Sequence, residues 1–410
     1  MSIATCVRHA ELGDLVGLLN AQQAAKVDVV APASALRASD GLLRLSGIEP
    51  VLDERGFTLV DGLYRPTAAA DSHLGSKLKI PVGYLKWLRE EPRTDLYDAN
   101  VNGLLHGSED PRLPGGGDDR SFLLRLFTSG VPDEPGILRA VLSDRYGIID
   151  NLDVLTAVLE GIRQADGDVS VRSCDLTESS MHCKVYSPKV RALAPSFLSN
   201  YRTPFANPEL EAERRRAAGE LDRWRPVAAR EGRGYRPGNE PIVFAGFRFS
   251  NSEIGHHAVT LKPELMVEIC GNGLTLPIFA YTKRHIGDRL EVGGSWSQDT
   301  YRKRLAVITA ETRDKVAEWL SPEFLAARIT ELERHAATPV AHPDRTIEVV
   351  AKRLGFTEDE RTGILRHFIA GGQLTAAGIA NAVTSYSQTV PDADRADALD
   401  DLALQAMSLV

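Results

Sequence analysis

Apolar positions along this chain follow two periods, and the places where one gives way to the other mark its elements. Helical spacing runs from Glu11 to Lys26. It returns at Leu74, Leu78, Tyr84, Leu85 and Leu88, on both sides of Pro81. Proline suits the first turn of a helix, so this segment predicts two short helices joined by a tight turn. Such a pair can read DNA, but Tyr84 and Trp87 look like core, which favours a packed helical hairpin. LVDGLYRPTA places Asp61-Gly62 between apolar flanks and predicts a hairpin turn. SFLLRLFTSG and GILRAVLSDRYG read as two apolar strands. Leu152, Leu155, Leu159 and Ile162 then line a helix that Asp150 is placed to cap. VSVRSCDLT and SMHCKVYSP alternate as a second strand pair, with one cysteine on each.

Towards the end the helical period dominates. Tyr301, Leu305, Ile308 and Val316 share one face. Thr357 to Glu360 match a capping box just beyond Gly355, which stops the preceding helix. Asp359 and Glu360 at that helix start would repel phosphates, so this second helix pair also reads as packing. The acidic PDADRADALDDLALQAM is expected to be a solvated amphipathic helix. The fold class that follows is α+β: a mixed or antiparallel sheet core with packed helices, an Arg-rich insertion and a helical C-terminal segment. The expected divisions are an N-terminal α/β segment at 1–70, a core at 71–320 with a mobile insertion at 188–240, and helices at 321–410.

Composition narrows the class without naming a function. The chain has 410 residues, 43% of them hydrophobic, and no apolar run long enough to span a bilayer. Its start lacks the pattern of a secretory leader. The four cysteines, Cys6, Cys174, Cys183 and Cys270, form no close sequence pair, which suggests reduced thiols and a cytoplasmic setting. Net charge is −8, yet Lys184 to Asn239 hold 12 Lys and Arg against 6 Asp and Glu. A local patch matters more to a polyanion than the total.

Candidate chemistry concentrates in FRFSNSEIGHHAVTLKPELMVEICGNGLTLPIFAYTKRHIGD. A metal site would need close ligand pairs, and adjacent His256 and His257 would point to opposite faces of a strand, so no metal is expected. For catalysis, Glu253 would be a general acid or base with His256 or His285 as its partner, and Gly271 to Gly273 an anion holder. For nucleic acid, Lys283, Arg284, Arg302 and Arg304 would meet phosphates, while nearby rings stack on bases. Arg145 and Tyr146 would lie near the sheet-to-helix turn. Asn251 and Asn272 would shape the groove or bond bases, and Arg214, Arg215 and Arg216 would form a mobile basic arm.

FRFSNSEIGHHAVTLKPEL, followed by ICGNG and RHIGD, resembles the phage and plasmid-like proteins called domain of unknown function 932. LGSKLKIPVGYLKWL, DANVNGLL, RAVLSDRYGIIDNLDVLTAVL and ANAVTSYSQ extend the resemblance, in order, from about Asp71 to Gln388. The Arg-rich insertion and Thr282-Lys283 ahead of Arg284 depart from it. The resemblance implies a mobile-element setting and carries no reaction with it. The order of elements is also similar to phage single-strand annealing proteins of the RecT and Red-beta type, which hold DNA in a basic groove. The expectation is therefore a non-enzymatic protein that binds single-stranded nucleic acid, alone or as a homo-oligomer, with no cofactor and no membrane. An enzyme using the Glu253 cluster and a phage or host protein-interaction factor are the alternatives.

Overall fold

The computed structural model describes residues 4–53, 56–107, 116–129, 131, 134–217, 241–267, 273–275, 281–283 and 298–410. The chain begins with β1 (Val7–Ala10), α1 (Leu12–Ala25), β2 (Lys26–Pro32), β3 (Leu36–Ser39) and β4 (Leu42–Leu45). A small hairpin, β5 (Val51–Asp53) and β6 (Gly56–Thr58), precedes β7 (Gly62–Pro66). Three helices follow: α2 (Ala68–Leu78), α3 (Val82–Glu90) and α4 (Thr94–His106). Next come β8 (Ser121–Phe127), β9 (Gly136–Ser143), α5 (Asn151–Gln164), β10 (Ser170–Leu176), β11 (Met181–Leu193) and α6 (Pro208–Ala217). The strands end with β12 (Ile242–Asn251), β13 (Val259–Val267), β14 (Gly273–Thr275) and β15 (Tyr281–Lys283). The rest is helical: α7 (Gln298–Trp319), α8 (Pro322–Ala336), α9 (Pro343–Leu354), α10 (Glu358–Gly371), α11 (Ala376–Ser387) and α12 (Ala393–Ser408).

The fold is α+β, built on two sheets. One has the strand order β2-β8-β9-β7-β4-β3, antiparallel except where β7 meets β9. Strands β3, β4 and β7 bury one face only, whereas β8 and β9 are buried on both. Leu36, Ala38, Leu43, Leu45 and Tyr64 point into a core closed by Leu74, Leu85, Leu88, Tyr97 and Val101 of α2, α3 and α4. The alternate positions, Arg37, Arg44 and Arg65, are exposed. Residues 1–70, read as a segment of their own, supply four of this sheet's six strands.

Local devices set this geometry. Asp40 and Gly41 both take positive φ, 54° and 72°, and so form the tight turn between β3 and β4. The carboxylate of Asp98 accepts both of their N–H groups, and Arg89 donates to the Gly41 carbonyl at 2.9 Å. On the outer strand, Asn102 of α4 bonds the N–H and the C=O of Ala38 at 2.7 and 2.8 Å, which satisfies an edge otherwise open to pairing. The hairpin expected at Asp61-Gly62 is not formed. Asp61 instead accepts the N–H groups of Gly47 and Ile48, clasping the neck of the β5–β6 hairpin. The helix pair around Pro81 is present, but Tyr84 and Trp87 are not core. A nine-residue helix offers one buried stripe, here taken by Leu85 and Leu88. The two rings are exposed and stack with centroids 6.1 Å apart.

The second sheet has the order β1-β10-β11-β12-β13-β14, with β15 also on β13. Leu15, Leu155, Val158, Phe247, Phe249, Ile308 and Trp319 pack α1, α5 and α7 around it. Gly161 makes the close contact of α5 and α7 possible, because a Cβ there would lie 2.7 Å from the Thr309 carbonyl oxygen. Cys174 and Cys183 face each other directly across β10 and β11 as buried free thiols. The C-terminal helices share a core of Leu325, Ile347, Phe368, Val383 and Leu399. Thr357 and Glu360 form the expected capping box.

The Arg-rich insertion is corrected in part. Residues 188–193 continue β11, and Arg214, Arg215 and Arg216 belong to α6. Arg214 is buried, lies 3.9 Å over the Phe205 ring and bonds Glu211, so it is fixed in place rather than carried on an arm. Residues 218–240 lie outside the described residues. Among the described residues no helix is long and apolar enough to cross a membrane.

Candidate nucleic-acid interface

The polar run after β12 closes a joint between the two sheets. Glu253 Oε1 accepts the backbone N–H of Asn151 at 2.6 Å, and Oε2 lies 2.6 Å from Arg139 Nη2. Asp150 occupies the N-cap position of α5, but its side chain makes no cap bond. It binds Lys26 and the wholly buried Arg125 instead, and Glu253 supplies the cap from the turn after β12. Burial pushes the Asp150 carboxyl up, but Arg125 and Lys26 outweigh it and hold the group well below the usual carboxylate range. Arg125 also bonds Asp28 at 2.8 Å and the Glu253 carbonyl at 2.7 Å. Every charge in the joint has a partner.

This placement changes what the sequence candidates do. Glu253 is buried and held by Arg139 and the Asn151 N–H, whereas an acid or base must reach the proton it transfers. Asn251, expected to bond bases, is fully buried and bonds Ile149 and Asn151. Tyr146 packs against Gly255, and its hydroxyl donates to the Ser252 carbonyl at 3.4 Å. His256 is exposed, and its N–H donates to Ser252 Oγ at 2.9 Å. His256 and His257 stand in a loop rather than on a strand. Arg145 and Arg302 are exposed, Arg304 is half-buried, and Lys283 lies opposite Val259 on β15. Asn272, Arg284 and His285 lie outside the described residues. Among the described residues no group of three or more His, Cys, Asp or Glu is arranged to hold a metal.

A second polar cluster lies under α12, whose predicted solvated character is corrected. Lys184, Arg248 and Lys262 are direct neighbours on β11, β12 and β13. Asp397, Asp400 and Asp401, on one face of α12, meet them: Asp400 binds Lys184 at 2.5 Å, Asp397 and Asp401 bind Arg248, and Asp401 also binds Lys262. Ala396, Leu399, Ala403 and Ala406 are buried too. The helix is thus inserted between a cationic strand row and an apolar layer. His182 lies on the same cluster, with Nδ1 2.9 Å from Ser250 Oγ and Nε2 2.8 Å from Asp394 Oδ1. Burial lowers the affinity of this imidazole for its second proton, but Asp397 and Asp394 outweigh it and raise the pKa to about 9. Nδ1 also lies 3.2 Å from Asp397 Oδ1, so carboxylates face both ring nitrogens, and Ser250 itself is buried; this is the geometry of an ion-pair cluster under the helix.

The open cationic surface is elsewhere. Arg37 on β3 stands directly opposite Arg44 on β4, Arg44 opposite Leu63, and Arg65 follows two residues on from Leu63. Antiparallel register and period-2 alternation therefore put all three arginines on one sheet face. That face continues through Ile137 to Phe127 and Arg125. Arg139, at the irregularity in β9, lies over the Phe127 ring at 4.4 Å. The inner arginines are neutralised by Asp28, Asp150 and Glu253. Arg37, Arg44 and Arg65 are exposed, and none has an ion-pair or side-chain hydrogen-bond partner among the described residues. Like charges directly opposite on a sheet destabilise it, so this row gains from an anion that lies across it.

These three residues were not among the sequence candidates. LRAS, LLRL and LYRP each put one arginine at the outward position of a short alternating strand, which is a usable signal. That the three strands are neighbours is visible only in the fold. The chain matches no family model, no curated protein and no solved structure.

Proposed function

We propose that this protein binds nucleic acid without catalysing a reaction, through the open half of the arginine face. The observation that carries this reading is the row Arg37, Arg44 and Arg65: three exposed guanidinium groups on adjacent strands, without a partner among the described residues, in a protein whose net charge is −8. Their spacing follows from the sheet, with about 5 Å between directly opposite Cβ atoms and about 7 Å on the diagonal. A guanidinium group matches phosphate oxygens in pairs, which suits a sugar-phosphate backbone lying across the strands. The resemblance to phage and plasmid-like proteins supports a place in the DNA metabolism of a mobile element, with strand annealing as the activity consistent with such binding. Arg145 and Arg302 remain accessible for further phosphate contacts.

The test is fluorescence anisotropy with labelled oligonucleotides across a salt series. Binding should weaken steeply with salt. In the Arg37→Ala/Arg44→Ala/Arg65→Ala protein the magnitude of the log–log slope should fall by about 2, since each phosphate neutralised on a single strand contributes about 0.7. An unchanged slope in a folded triple variant would remove this reading.

A further inference from the structure

The β5–β6 hairpin is spliced between β4 and β7, the strands that carry Arg44 and Arg65. Leu52 pairs directly with Phe57 across it, so both side chains share one face. That face is open: Leu52 is 67% exposed, Phe57 79% and the following Leu59 76%. The opposite side is held. Val51 packs on the core of the first sheet, Val60 is buried, and the Tyr64 hydroxyl donates to the Val60 carbonyl at 2.8 Å. With the Asp61 clasp at its neck, the hairpin is a supported element whose outer surface is apolar where water favours polar groups.

Leu52 lies eight positions after Arg44, and Phe57 eight positions before Arg65. A fully extended chain of that length covers no more than roughly 28 Å, so the two features lie within the span of one oligonucleotide. An anion alone satisfies the arginines and leaves the ring unused. An apolar protein surface would use the ring and leave unsatisfied the cations, which have no partner among the described residues; an anionic lipid surface presents phosphates above an apolar layer but no flat rings. A ligand that combines regularly spaced negative charge with exposed flat apolar rings satisfies both, and that describes unpaired nucleotides. In a duplex the base faces are already stacked on one another.

We infer that the ligand class is single-stranded nucleic acid, with its backbone on Arg37, Arg44 and Arg65 and one or more bases stacked on Phe57 between Leu52 and Leu59. This inference rests on the proposed function and sharpens it. The experiment compares the full chain bound to three fluorescein-labelled probes of equal length: oligo-dT, an abasic strand with the same phosphates, and a duplex. The unmodified protein should prefer oligo-dT over the abasic strand. Phe57→Ala should weaken oligo-dT binding by about tenfold, the scale of one lost stacking contact, with little change for the abasic strand. Phe57→Trp should restore the preference, and the salt slope should be the same in all three proteins.

The triple arginine variant should lower the salt slope while keeping the base preference. If that variant matters but Phe57→Ala leaves the preference for oligo-dT intact, the stacking inference fails and the arginine reading stands. If the triple variant changes nothing, both fail. Tighter binding to the duplex than to oligo-dT, or Phe57-dependent binding to phosphatidylglycerol-containing vesicles with none to oligo-dT, would also overturn the inference.

Discussion

His182 carries its second proton through neutrality because two carboxylates of α12 face it, and this fixes how the protein responds to base. Its folded pKa of about 9 lies above the ordinary 6.5, so its contribution to stability is complete below about pH 6.5 and is lost as pH rises through 9. Thermal unfolding followed from pH 6 to 10 should show a falling midpoint in the unmodified chain, and His182→Gln should flatten that fall. Glu253 gives the complementary case. Glu253→Gln keeps the shape of the side chain but leaves Arg139 without its buried partner, and urea unfolding should show a loss of about 3 kcal/mol. A catalytic carboxylate would lose activity on this change and keep its stability. The polar run around Glu253 was legible in the sequence as unusual, but its meaning was not. Whether a carboxylate serves a substrate or a strand depends on partners such as Arg139 and Asn151, which lie about a hundred positions earlier in the chain.

At the scale of elements, legibility followed periodicity and caps. The Thr357–Glu360 box, the helix beginning at Asn151, and both helices around Pro81 stand where local residues place them, because their signals are contained within a few turns. The errors arose where a local signal was ambiguous about burial. Tyr84 and Trp87 have core chemistry but sit on the wrong side of a short helix, and the acidic α12 has surface chemistry but faces three cationic strands. Gly363 tests packing between elements. A Cβ there would lie 2.1 Å from the Tyr386 ring, so Gly363→Ala must displace that ring or separate α10 from α11. Differential scanning calorimetry should register a destabilisation of about 1–3 kcal/mol, the usual cost of overpacking.

For the molecule as a whole, the C-terminal helix closes the second sheet in the way an external partner would. Its carboxylates neutralise Lys184, Arg248 and Lys262, and its apolar side completes the helical core. A chain ending before Ala393 should therefore lose cooperative unfolding and bind a hydrophobic dye, rather than shed a dispensable tail; near-ultraviolet circular dichroism and dye fluorescence measure this directly. The same contrast separates the two cationic regions. One is satisfied from within the chain, and the other has no partner among the described residues.

The opposition of Arg37 and Arg44 has a thermodynamic consequence of its own. Their repulsion exists only when β3 and β4 are paired, so the native state accumulates anions locally while the unfolded chain, with its overall negative charge, does not. Multivalent anions should then act on this protein as stabilisers, raising its melting temperature in proportion to their charge. A protein acidic in total would behave, at this one surface, as a weak anion exchanger whose capacity appears on folding and disappears on denaturation.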